Sequence, residues 1–225
     1  METHRKEKYR KAIRWLLVDL AIACIIFALL FYKPSRYSPL GTDPASSDPR
    51  RVHPYMTYLS SEFYNSVQLE KPFELVVLEE GINETIRGSK WPLEAEGVKF
   101  SIPAVLFVPE NIILMGTANI RGAEFVITIV LEPTVDQQGL LNLQVDKIKI
   151  GAMNITPLAK IVAKKMYKNR LATEPIDIED LRAKIAGALL NDEPFDAVFK
   201  IDDKKVRIEK VTIMQGKLIL RWIPA

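Results

Sequence analysis

The chain predicts an α+β protein, with one N-terminal transmembrane helix followed by a single domain in which a curved, mainly antiparallel sheet packs against amphipathic helices. Three observations lead there. The eighteen-residue run from Trp15 to Tyr32 has Asp19 as its only charged residue. Beyond residue 55, segments with a two-residue apolar period outnumber those with a helical one, and turn signals separate them. In two of the strand-like segments the period slips by one residue, which a flat strand cannot accommodate without turning its apolar face to water.

The apolar run comes first. At 1.5 Å per residue it nearly crosses a hydrocarbon layer about 30 Å thick, and Ala12 and Ile13 extend it. Arg5, Lys6, Lys8, Arg10, Lys11 and Arg14 precede it, against only Lys33 and Arg36 just beyond, so the N-terminus is expected in the cytoplasm and the rest of the chain outside. Leu29-Leu30-Phe31-Tyr32-Lys33 lacks the small-x-small pattern of a cleaved signal. Ala21-Ile22-Ala23-Cys24 resembles part of a lipobox, but the residues after Cys24 stay apolar where a lipoprotein turns hydrophilic. A buried soluble helix would carry a polar stripe, and this run has none. Asp19 lies one turn from the cytoplasmic boundary, within reach of water or Arg14. The expected organisation is a basic cytoplasmic tail (1–14), a transmembrane helix (15–32), a Pro-rich linker (33–54) and an extracytoplasmic α+β domain (55–225). That describes a single-pass, signal-anchored protein of a bacterial inner membrane.

Charge and cysteine content narrow the partners. The tail carries +4 and Asp19 −1, which gives the net charge of +3 and leaves residues 33–225 neutral. A nucleic-acid surface needs a positive excess, so nucleic acid is not an expected partner. The tail suits an anionic inner leaflet. The only cysteine, Cys24, sits inside the apolar run. The outer portion therefore has no disulfide framework and depends on its own core. In the linker, prolines at 34, 39, 44, 49 and 54 favour an extended tether. At about 3 Å per residue it could hold the domain as far as 60 Å, roughly, from the membrane.

Within the domain, Tyr55, Tyr58, Leu59, Phe63 and Val67 fall at helical spacing. Phe73 to Leu78 reads as a strand, and Glu79 to Arg87 as a short helix closed by Gly88. Strands are expected at Val98–Val108, Ile112–Ile120, Ala123–Leu131 and Leu140–Ile150, with turns at Arg121-Gly122 and Asp136–Gly139. Thr156 is placed to cap a helix running to about Arg170, with Pro157 at its first position. Asp177 is placed to cap another, with Ile178, Leu181, Ile185 and Leu189 on one face. Closing strands are expected at Phe195–Ile201, Lys205–Met214 and Lys217–Trp222. Leu143–Ile150 and Val206–Ile213 share one grammar: apolar, polar, apolar, acidic, Lys, apolar, polar, apolar. Their periods slip at Asp146-Lys147 and Glu209-Lys210, where β-bulges would absorb the extra residue and bend the sheet.

Both faces of Ala123–Leu131 are apolar: Phe125, Ile127, Ile129 and Leu131 on one, Val126 and Val130 on the other. One explanation is a central strand covered on both sides. The other is that Phe125, Ile127, Ile129 and Leu131 line a groove for an acyl chain, completed by Ile161, Val162 and Met166 from the helix opposite. That helix also carries Lys160, Lys164 and Lys168 at four-residue intervals. They read either as a solvated basic face or as a surface for lipid head groups.

Catalytic chemistry finds little support. His4 lies in the tail and His53 in the linker, so the domain holds neither histidine nor cysteine. Ser-His and Cys-His nucleophiles and the usual zinc sets are thereby removed, and no catalytic or metal residue is assigned. Phosphate-loop, dinucleotide and Gly-x-Ser-x-Gly motifs do not occur, and no cofactor is expected. The carboxylate pairs Glu79 and Glu80, Glu94 and Glu96, and Glu179 and Asp180 fit helix starts or exposed strands better than glycoside chemistry.

Three segments carry a resemblance: Leu78-Glu-Glu-Gly-Ile-Asn-Glu-Thr-Ile86 after an apolar strand, Gly139-Leu-Leu-Asn-Leu143 leading to Val145, Ile148, Ile150 and Gly151, and Gly216-Lys-Leu-Ile-Leu220. Together they resemble the YpmS-like family of single-pass bacterial membrane proteins and, more distantly, the LmeA-type phospholipid-binding proteins. The resemblance covers about Phe73 to Ala225. It implies an extracytoplasmic domain associated with lipid binding or envelope assembly, with no family active site to carry over. The expected function is thus non-catalytic binding of a phospholipid or other apolar ligand in envelope maintenance, with the membrane as partner. The alternative is an envelope scaffold or assembly factor whose sheet docks a protein.

Overall fold

The computed structural model describes residues 2–38, 53–88, 91–95, 97–173 and 181–225. Helix α1 (Glu2–Leu30) joins the basic tail to the apolar run without a break. Its Ile13–Leu30 stretch, of mean hydropathy 2.4, is long and apolar enough to cross a membrane, and none of it is buried. That exposure separates it from the core helix of a soluble protein. Next come α2 (Pro54–Gln68), β1 (Phe73–Leu78), α3 (Glu79–Arg87), β2 (Leu93–Ala95), β3 (Val98–Phe100), β4 (Ala104–Val108), β5 (Asn111–Ile120) and β6 (Ala123–Val135). The chain continues through β7 (Leu140–Ile150), β8 (Met153–Asn154), α4 (Thr156–Thr173), α5 (Leu181–Asn191), β9 (Phe195–Asp196), β10 (Val198–Ile201), β11 (Lys204–Met214) and β12 (Lys217–Pro224). The architecture is α+β with antiparallel sheets. Most of the Pro-rich linker and the Asp177 cap lie outside the described residues.

Two sheets form. The smaller has the order β1-β12-β11-β10, the larger β2-β3-β5-β6-β7-β8, with β4 also on β5 and β9 on β7. Among the described residues neither closes into a barrel. Two segments expected as single strands are split. Val98–Val108 breaks at Ser101-Ile102-Pro103, because Pro103 has no N–H for the ladder. Ser101 keeps the two pieces on β5, its N–H donating to the Thr117 carbonyl at 2.9 Å and its Oγ accepting the Thr117 N–H at 2.8 Å. Phe195–Ile201 breaks at Ala197, which is 1% exposed where the chain crosses from β7 to β11. A larger side chain has no room at that crossing.

The two slipped periods fall on two irregularities of register. Val130 and Leu131 pair with Lys147 and Val145, leaving Asp146 over, and Ile208 and Lys210 pair with Trp222 and Arg221, leaving Glu209 over. Each extra residue is acidic and meets a cation: Asp146 its neighbour Lys147 at 2.7 Å, Glu209 the Arg221 Nε across the pair at 2.6 Å. An outward carboxylate costs little at a bulge, where the pleat is already interrupted.

The core lies between the sheets, with α2, α3 and α5 at its margins. Val105, Phe107, Leu141, Val206, Ile208, Ile213 and Trp222 are buried there, with Leu59 and Val67 from α2 and Ala188 from α5. Trp222 is the hub of an aromatic group, with ring centroids 4.9 Å from Phe63, 5.3 Å from Phe199 and 6.3 Å from Phe73. Such pairs contribute about 0.5–1.5 kcal/mol each beyond the area they bury. Tyr58, read as part of the inner face of α2, is 59% exposed instead.

Helix α3 seals the otherwise open edge of β4. Asn83 exchanges two bonds with Val105, Nδ2 to its carbonyl and Oδ1 from its N–H, both 2.8 Å, and Glu79 Oε2 accepts the Phe107 N–H at 2.7 Å. Gly216, in the β11–β12 turn, donates to the Phe107 carbonyl and accepts from the Glu79 N–H, both at 3.0 Å. Gly81 has no room for a side chain, since a Cβ there would stand 2.5 Å from the Tyr55 ring. The Leu78–Ile86 segment is therefore a clamp holding the sheets together, and Glu79 serves the backbone.

Candidate functional site

Direct pairing sets the inward face of the large sheet. Val105, Leu114, Ile129 and Ile148 stand in one row, and Gly116, Ile127 and Ile150 in the next. Beyond them Phe100, Ala118 and Phe125 form a third row. Toward the Phe107 end the face meets the small sheet. Toward the Phe125 end it is open, and there a groove of about 320 Å3 runs over Leu114, Gly116, Ile127 and Ile129. Its other wall is Trp91, Leu93, Phe100 and Pro103, and Ser101, Met115 and Thr117 complete its lining. The Trp91 indole is held by its Nε1–H, which donates to the Ile86 carbonyl at 3.1 Å. Gly116 matters because any side chain longer than a methyl group would project into this space.

A second hollow, of about 530 Å3, shares Phe100, Ser101 and Thr117 with the groove and is bordered by Lys99, Asn119 and Arg121. Alternation along β3 and β5 turns Lys99, Thr117 and Asn119 to the face of the sheet opposite Phe100, Gly116 and Ala118, so the two hollows meet only at the sheet's edge residues. Apolar sites with a few convergent polar groups, in this range of size, are the usual form of small-ligand sites.

The end of α1 is seated at the open end of this face. The Leu29 carbonyl, which the helix end leaves with only a long 3.4 Å bond from the Tyr32 N–H, accepts the Ala152 N–H at 2.8 Å. Gly151, at φ +58, lies so close to the Leu29 and Leu30 carbonyls that a Cβ there would clash with both. Phe31 packs on Phe125 with centroids 5.0 Å apart, and Lys33 pairs with Glu124 at 3.2 Å. A tether that holds the domain tens of ångströms from the helix is therefore not what forms. The Leu29 carbonyl at the helix end binds the β7–β8 turn instead.

Of the residues singled out in the sequence, Ile127 and Ile129 line the groove. Phe125 lies beside it against Phe31, and Leu131 is half-buried in the row of Phe107. On the opposite face Val126 is 2% exposed, so the face richer in large apolar residues is the less covered one. Ile161 and Val162 are 67% and 48% exposed on α4 and are not among the lining residues; the facing wall comes from β2, β3 and the residues before them. Lys160 is paired with Asp192 at 3.3 Å, while Lys164 is exposed. The side chains of Met166 and Lys168 lie outside the described residues. Thr156 does not act as a simple helix cap. Its Oγ1 accepts the Ile148 N–H at 2.8 Å and donates to Asn154 Oδ1 at 2.6 Å, tying α4 to β7. Trp91, Leu93, Phe100, Leu114 and Gly116 were not picked out as site residues. Phe100, Leu114 and Gly116 lie in segments whose alternation marks strands, whereas Trp91 and Leu93 lie in none, and only the folded sheet brings all five beside Ile127 and Ile129.

Among the described residues no three His, Cys, Asp or Glu side chains gather as a metal site would need. Fold and groove together define a two-sheet α+β domain with an apolar cleft beside an exposed apolar helix. No protein-family model, curated protein or solved structure matches the chain.

Proposed function

We propose that this is a membrane-anchored, non-catalytic domain outside the cytoplasm that holds a phospholipid or other apolar ligand for envelope maintenance. The observation that carries this reading is the groove, about 320 Å3 and almost wholly apolar, beginning one residue pair from the contact of Phe125 with Phe31. A chain leaving the bilayer beside α1 meets apolar surface at once. Arg121, in the β5–β6 turn at the Phe125 end of the sheet, suits an anionic head group. The bulge at Asp146, next to Ile148 and Ile129, curves the large sheet toward the ligand. The N-terminus is cytoplasmic and the anchor is retained, in line with the basic residues before Trp15.

The test is native mass spectrometry of the detergent-extracted full chain. Co-purified lipid, lost on replacing Ile129 with Trp, is the expected result; lipid-free protein that takes up no fluorescent lipid sinks the reading. Topology is read separately by a reporter, active only outside the cytoplasm, fused after Ala225.

A scaffold role has one observation in its favour. Strand β1 is an edge of the small sheet and exposes Val76 and Leu78, at 39% and 48%. Such an edge can pair with a strand of an envelope protein. Capture of a partner that is lost on replacing Val76 with Lys, with groove variants silent, would move this reading to the front.

A further inference from the structure

The first turns of α4 are inside out for a soluble surface helix. Ala159, Lys160 and Ala163 are half-buried on the packed side, while Leu158, Ile161 and Val162 face outward at 63%, 67% and 48% exposed. Spacing of three and four residues puts these three on one face, and Lys165 falls on the same face one turn later. Lys164 flanks it, and both lysines are exposed. A helix at a water-facing surface turns its apolar stripe to the core. Here the stripe points away from the core, while Lys160, on the other side, pairs with Asp192.

What lies next to this face decides what covers it. The Leu29 carbonyl bonds to Ala152, and Ala152 is four residues before Thr156, where α4 begins. Four residues reach about 14 Å at most, and the helix adds 1.5 Å per residue. Leu158, Ile161 and Val162 therefore sit within roughly 25 Å of the point where the apolar helix ends. We propose that the N-terminal half of α4 lies in the head-group interface of the leaflet from which α1 emerges. Leu158, Ile161 and Val162 enter the acyl boundary, and Lys164 and Lys165 meet anionic head groups. This rests on the reading of α1 as a membrane anchor. It adds a second point of contact, and two points fix the domain's orientation, with the Phe125 end of the groove toward the lipid.

The experiment uses the full chain in vesicles of phosphatidylcholine and phosphatidylglycerol containing a lipid with a shallow spin-label quencher. An environment-sensitive fluorophore is placed at Ile161→Cys in a Cys24→Ser background, at Gln137→Cys in the same background, and on the native Cys24. Gln137 follows β6 at the end away from Phe125, about 40 Å along the strand. The expected result is blue-shifted emission and loss of most intensity to the quencher at position 161, with water-like, unquenched emission at 137. Lys164→Gln with Lys165→Gln should weaken the quenching and flatten its salt dependence. Leu158→Asp with Ile161→Asp, scored by protease protection of the β7–β8 turn in vesicles, should expose that turn without lowering the melting temperature. A water-like signal at 161 with Cys24 protected overturns the interfacial helix and leaves the anchor intact. Water-like signals at both positions overturn the anchor and the inference with it. Emission at 161 that turns blue only at high protein concentration and ignores the quenching lipid makes the face a contact between copies, which also overturns it.

Discussion

At one end of the large sheet's inward face Phe107 and Leu141 are 3% and 8% exposed, whereas toward the other Phe100 and Ile127 remain half-buried, and the row between them runs from buried Val105 to half-buried Ile129. The side chains are of the same kinds, and Leu114 belongs to both regions, packing on the core and lining the groove. What differs is the second layer. The small sheet and the β11–β12 turn reach β4 at Phe107, where Gly216 bonds to its carbonyl. Further along, the large sheet extends past its cover. Burial here follows the reach of the opposing layer, not the hydrophobicity of the residue, and an apolar face left without a layer is where a ligand can take its place.

The largest expected effect breaks the covered end. Phe107→Ala should cost about 3–5 kcal/mol, read by denaturant unfolding, because a tightly packed core cannot collapse onto the space. Ile127→Ala in the open groove should cost only about 1–2 kcal/mol. Equal costs would mean that the groove is ordinary core. Next in size is Gly81→Ala, which pushes the Tyr55 ring from α3 and loosens the bond from the Leu78 N–H to its hydroxyl at 2.6 Å. A loss of about 1–3 kcal/mol is expected, and replacing Tyr55 with Leu in the same protein should recover part of it. Ile129→Trp sharpens the comparison from the open side. The ring should fill the groove and abolish uptake of a fluorescent lipid at unchanged melting temperature. Unchanged uptake with a loss of about 1–3 kcal/mol would identify overpacked core instead.

The smallest effect concerns a surface link at the covered end. The Tyr64 hydroxyl donates to Asp202 Oδ2 at 3.1 Å, and this bond, followed by the negative charge of Asp202, raises the Tyr64 pKa above its ordinary value. A raised phenol favours the neutral form. Its contribution to stability is therefore present below the ordinary tyrosine pKa and is lost as pH rises through the raised one. Tyr64→Phe should remove a late-titrating phenol from the ultraviolet titration, and Asp202→Asn should bring that phenol back toward the ordinary range.

Local chemistry left clear marks in the sequence. The apolar helix, the alternating strands and the helix closed by Gly88 were legible because burying one face imposes a period. The two bulges were legible for the same reason: a residue added to a strand of period two leaves a visible slip, here at Asp146 and Glu209. The soft Leu78–Ile86 segment could be seen but not understood. Glu79, Gly81 and Asn83 acquire their roles only from Phe107, Tyr55 and Val105, which are distant in the chain. The groove was half legible. Ile127 and Ile129 were visible as apolar residues on a strand with two apolar faces, but periodicity does not say which face is covered.

By itself, then, the sequence determined the elements, the bulges and an apolar span, because each depends on residues a few positions apart. Tertiary structure alone decided the rest. It split Phe195–Ile201 between two sheets at Ala197, set Trp91 and Phe100 across from Ile127 and Ile129, and turned Ile161 and Val162 outward on α4. It also seated the end of the apolar helix on Gly151. These outcomes depend on strand register and on how far one layer extends over another, and both are set by the packing of the whole domain, not by neighbours in the chain.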